Sequence, residues 1–180
     1  MLVTEIPALD HVLATHAGAL GDDLVAYRHH TYRVANLCFA LTSPHPQPHV
    51  VDKIAIAAAF HDLGIWTDHT FDYLEPSVRL AAAYLTQAGR GAWSDEIAAM
   101  IRQHHKVLPS RRAPHALVEP FRRADWIDVT MGLATIGRMR ELVRALYVTW
   151  PSAGFHARLV GLTLERWRAH PLSPLPMLRL

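Results

Sequence analysis

One stretch of this chain limits its fold more than any other: the apolar run IAIAAAF (54–60), which closes on His61-Asp62-Leu63-Gly64. At helical spacing the run is apolar nearly all round, so it offers no face to water and reads as the buried central helix of a helical fold. A histidine and an aspartate at the end of such a helix are costly to bury unpaired. Adjacent helical residues point about 100° apart. At a helix end, however, both side chains can lean toward one point beyond the terminus, where a metal ion would satisfy both. The alternative is a C-terminal His interacting with the helix carbonyls beside a surface Asp.

The rest of the sequence agrees with an all-α chain. Ala, Leu and Arg dominate, and neither hairpin turn signals nor β-alternation stand out. The pattern predicts helices over about 8–20, from Asp22 or Asp23 as cap to Leu41, and over 50–62. Further helices are expected over 76–87, with Pro76 in the first turn, and over 94–105, capped by Ser94. The last three are expected over 116–131, 134–148 and 152–169. The segments 42–49, 65–75 and 106–114 read as loops, and 171–180 as an extended tail. This gives one domain of about seven or eight helices, with a motif-bearing core over 22–131 and packing helices over 132–170.

Composition excludes several function classes. The 180 residues carry 18 Lys+Arg against 16 Asp+Glu, a net charge of +2, so a strong polyanion binder is not indicated. The single cysteine, Cys38, excludes an intrachain disulfide and any multi-cysteine zinc site, and fits a reducing compartment. No apolar run is long enough to span a membrane. The start MLVTEIPALD, with Glu5 and Asp10, does not read as a signal peptide. The 13 histidines, alongside aspartate, supply the ligand types of a hydrolytic metal site if they converge.

Three other segments bear on that convergence: YRHHTYRVANL (27–37), IRQHH (101–105) and RRADWID (122–128). In the order H … HD … D, with AAAFHDLG in the middle, they resemble the HD-domain superfamily of metal-dependent phosphohydrolases over roughly residues 25–130. The resemblance implies a compact all-α domain of the HD type. It places the metal ligands on His30, His61, Asp62 and Asp125; the H-x-x-R-V spacing selects His30 over His29, and Asp128 matches less well than Asp125. The implied cofactor is one divalent ion, with Mn, Fe, Co, Ni, Zn and Mg not distinguished. Some members hold two ions through two additional histidines. His104 resembles one of these, but the region that would carry the other reads LEPSVRLA, with Ser77 and Arg79 and no His. His69 does not match that position, so a single ion is favoured.

On this reading a metal-bound water is the nucleophile. Asp62 would hold the metal and orient the water, with Asp68, Glu75 and His104 as further catalytic candidates. Asp68 and Glu75 read equally well as solvated loop acids. Arg33, three residues after His30, would clamp a phosphate, or pair internally with a buried Asp. Lys106 and Trp66 are the other substrate-binding candidates, with Phe71 and Tyr73 as possible pocket aromatics. The expected function is hydrolysis of a small phosphate ester, possibly a nucleotide. Non-phosphate chemistry on the same scaffold, such as hydration, and a non-enzymatic binding domain are the alternatives. The expected partners are a small-molecule substrate and possibly a second copy, with nucleic acid and membrane not expected and the cytoplasm as location.

Overall fold

The structure is a computed structural model that describes residues 2–43, 46–109, 115–133 and 135–171. Among these residues the regular structure is all helical, with eight helices of nine residues or more, two single-turn α-helices and two single-turn 3-10 helices. The 3-10 turns span Gly21–Asp23 and Gly91–Trp93. In chain order the α-helices are α1 (Pro7–Thr15), α2 (Ala17–Leu20), α3 (Leu24–Thr42), α4 (Pro48–Phe60), α5 (Gly64–Thr67), α6 (Leu74–Gln87), α7 (Ser94–Gln103), α8 (Val118–Val129), α9 (Gly137–Thr149) and α10 (Phe155–Ala169).

Helix α4 is the buried centre that its apolar run dictates: every residue from Ile54 to Phe60 is buried. Around it pack α1, α3, α6 and α7, while α3 also lies along α8. Tyr27, Leu37, Ile56, Phe60, Met100 and Phe121 belong to the same buried apolar cluster, which extends to Phe155 at the start of α10.

Several local expectations are corrected. The first helix breaks at His16 into α1 and α2, and Gly21, at φ +50°, turns the chain toward α3. Asp23 does not cap α3. Its Oδ2 instead accepts from Trp66 Nε1 at 2.8 Å and pairs with Arg158 at 3.1 Å. Ser94 is the first residue of α7 rather than a side-chain cap. Helix α4 stops at Phe60, leaving His61 and Asp62 in the turn beyond it. The expected loop 65–75 begins with α5, and α6 starts at Leu74, two residues before the expected start.

Gly64 explains that tight connection. A Cβ there would lie 2.7 Å from the Tyr73 carbonyl oxygen and 2.9 Å from the Pro76 Cβ. Its N–H donates to Ser77 Oγ at 3.0 Å. Only glycine lets the start of α6 approach the HD turn this closely. Arg111 and Arg112 of the basic loop, His45 and the tail 172–180 lie outside the described residues.

Candidate metal centre

Four side chains from three elements meet at the end of α4. His30 comes from the middle of α3, His61 and Asp62 from the turn after α4, and Asp125 from α8. All four are buried. The Nε2 atoms of His30 and His61 are 2.9 Å apart. Asp62 Oδ2 is 3.7 Å from His30 Nε2 and 3.3 Å from His61 Nε2. Asp125 Oδ1 is 3.7 Å and 3.6 Å from the same two nitrogens.

The opposite ring nitrogens settle the tautomers through the bonds they make. His30 Nδ1 donates to Asp128 Oδ2 at 2.7 Å, His61 Nδ1 to the Ala58 carbonyl at 2.8 Å, and His104 Nδ1 to the Ile101 carbonyl at 2.6 Å. Each Nε2 is therefore the nitrogen left to face the cluster. Two such nitrogens facing each other at 2.9 Å need a cation or a proton between them. Burial opposes charge on His61, but the carboxylates of Asp62 and Asp125 outweigh it and raise its pKa to about 9. Burial likewise opposes charge on Asp62, yet His61 and His104 hold its pKa well below the usual carboxylate range.

The donor set fits a divalent ion. Asp62 Oδ1, His104 Nε2 and both oxygens of Asp125 are buried without a hydrogen-bond partner. Orphaned lone pairs of this kind carry a full desolvation penalty unless a cation takes them. Two imidazoles and two carboxylates suit a borderline or hard divalent metal. His104 Nε2 lies 3.3 Å from Asp62 Oδ1, the other oxygen of that carboxylate from the one nearest His30 and His61. His30, His61 and Asp62 form one group able to hold an ion; Asp62, His104 and His105 form another.

Asp128, the poorer sequence match for a ligand, supports one instead. Its Oδ2 takes the His30 proton, and both its oxygens take Arg33, at 2.6 Å from Nε and 2.9 Å from Nη2. Burial would raise the Asp128 pKa, but these bonds from His30 and Arg33 lower it to about 2. Arg33 is fully buried, and its Nη1 donates to the Trp150 carbonyl at 2.9 Å. Of the two readings of Arg33, this is the internal ion pair with a buried Asp: a buried guanidinium needs a fixed partner for its charge and its fork of donors.

The other candidates separate from the cluster. Asp68 is held by Arg79 at 2.7 Å, and Glu75 by Arg102 at 2.6 Å, both pairs at the surface. Both carboxylates are exposed, the setting that their reading as solvated acids describes. Trp66 is buried against Tyr27, with ring centroids 4.8 Å apart, and lines a cavity of about 380 Å³ that also includes His69, Phe71 and Leu162. Lys106 is exposed next to His105, and its carbonyl accepts from Arg122 at 2.9 Å.

Two aromatic residues contribute in ways the sequence alone does not assign: Tyr73, expected as a possible pocket aromatic, and Phe155, which the sequence does not single out. Tyr73 is buried and hydrogen-bonds His105 Nε2, while His105 Nδ1 lies 3.6 Å from Asp125 Oδ2. Burial, then the Asp62 carboxylate, push the Tyr73 phenol well above its ordinary pKa, so it remains an O–H donor. Phe155 stacks face to face on His30 at 4.0 Å. Only its large apolar side chain marked it in advance, and that does not distinguish it from other core residues.

Among comparisons with known proteins, a family model described as HD domain matches residues 27–130, more than half of the chain. No curated protein and no solved structure matches it.

Proposed function

Because the chain belongs to the HD-domain family, we propose that it is a metal-dependent hydrolase that acts on a small phosphate ester through a metal-activated water. The observation that carries this reading is the set of orphaned donors, Asp62 Oδ1, His104 Nε2 and the Asp125 carboxylate, around the facing His30 and His61 nitrogens. His30, His61, Asp62 and Asp125 would hold a divalent ion, which would supply an activated water and polarise the oxygen of the bond to be broken. Asp62, whose Oδ1 faces His104, would orient the water, and His104 would exchange a proton with it. Lys106 and Trp66 are proposed at the substrate side, Lys106 for the anion. The reading takes one ion per chain, and a cytoplasmic location accompanies it. In that setting the buried Cys38 thiol, which burial pushes up to about 12, is inert.

A second reading, hydration or hydrolysis of a small uncharged molecule, is favoured by one observation. Arg33, three residues after His30, is consumed by Asp128 and the Trp150 carbonyl and has nothing left for a phosphate. The test is a screen of the metal-loaded protein against phosphomonoesters, phosphodiesters, nucleoside triphosphates and small nitriles. Turnover of a phosphate ester that Asp62→Ala abolishes supports the first reading. Turnover confined to a nitrile overturns it in favour of the second.

A further inference from the structure

The family match ends at residue 130, yet the support of His30 does not. We propose that the segment 147–155, beyond that match, is a clamp on the metal centre, with Phe155 the positioning residue that fixes the plane of the His30 ring. The proposal rests on the metal reading above.

A histidine ligand has two freedoms that spoil its aim: rotation in the plane of the ring and tilt out of it. The bond from Nδ1 to Asp128 at 2.7 Å fixes the first. It leaves the ring free to tilt about the Nδ1···O line. Phe155 removes that freedom by covering one face of the imidazole, with centroids 4.0 Å apart and planes 14° apart. Both rings are buried, so there is no room for either to swing.

The same segment holds the residues behind His30. Arg33 Nη1 donates to the carbonyls of Trp150 at 2.9 Å and Pro151 at 3.2 Å. The Arg33 guanidinium lies 4.4 Å over the Tyr147 ring. The Tyr147 hydroxyl donates to the Asp128 carbonyl at 3.0 Å. His29, beside the ligand, bonds the Pro151 carbonyl through Nδ1 at 2.8 Å. Ala153 and Gly154, at φ +48° and +90°, form the left-handed turn that delivers Phe155 to the imidazole. Partners behind a metal ligand typically change affinity by about 10–100-fold when removed.

The experiment is cobalt(II) binding, followed by chelator competition and by the visible spectrum of the bound ion, in the full chain. Phe155→Leu keeps an apolar side chain but loses the flat face. It is expected to weaken cobalt binding about ten-fold or more and to shift the spectrum of the saturated protein. Leu146→Ala, at a buried α9 position, is the control for lost stability, expected to keep the wild-type spectrum and affinity. Unchanged affinity and spectrum in Phe155→Leu would overturn the clamp, as would equal weakening in both variants. If Phe155→Leu does not fold, Tyr147→Phe takes its place. Its loss of the bond to Asp128 is expected to weaken binding several-fold, and no change would count against the proposal. Absence of cobalt binding in the wild type overturns the metal reading itself, which is a distinct result.

Discussion

At the scale of single residues, the centre is held by side chains with one tightly constrained task each. Asp62 presents one oxygen toward His30 and His61 and the other toward His104. Asp62→Ala is therefore expected to abolish metal retention, as read by metal analysis of the purified protein, while leaving the helical signal in place. Asp128 carries a different burden. Its pKa is lowered from 3.8 to about 2, so its contribution to stability is present above about pH 4 and is lost as pH falls through about 2. Asp128→Asn leaves Arg33 as a buried charge without its counter-ion. It is expected to cost about 3–5 kcal/mol in denaturant unfolding near neutral pH. The gap from wild type should narrow in strongly acidic solution, and a gap independent of pH would count against this pairing.

At the scale of elements, the outline of the helices was legible because it rests on periodicity and on proline and glycine positions. The central helix was the clearest, since no other arrangement hides IAIAAAF. What stayed hidden was contact between distant segments. Arg33 had two readings that its own helix could not separate; the choice depended on Asp128, 95 residues away. Gly64 had no argument of its own beyond closing the HD motif, whereas it is where the start of α6 packs against the turn after α4. Gly64→Ala forces a Cβ to 2.7 Å from a backbone oxygen. It is expected to destabilise the chain by about 1–3 kcal/mol in denaturant melts, as overpacking does. It should also weaken metal binding, since Tyr73 and the HD turn move together. Ser94 and Asp23 were sound cap candidates by residue type, but the turn before α7 and the pull of Trp66 and Arg158 took them elsewhere. The four residues that meet at the end of α4 were legible as a pattern through a family resemblance, while the aromatic rings and carbonyls behind them belong to no motif.

At the scale of the whole molecule, the proposed metal site would link metal binding to folding. An ion that binds only the assembled centre stabilises it by mass action, about 2.7 kcal/mol at a hundred-fold excess over Kd. Added divalent metal is expected to raise Tm by several degrees and chelator to reverse it, measured by calorimetry; an unmoved Tm would deny the coupling. No helix among the described residues is long and apolar enough to cross a membrane. The centre itself is assembled from distant parts of the chain, with His30 near one end and Phe155 near the other. On a ribosome that distance becomes time. The 125 residues from position 30 to position 155 take roughly 6–25 s to add at about 5–20 residues per second. For that interval the nascent chain carries His30 without the ring that stacks against it. A chain released between positions 125 and 155 would contain His30, His61, Asp62 and Asp125 without Phe155, the ring proposed to aim the first of them.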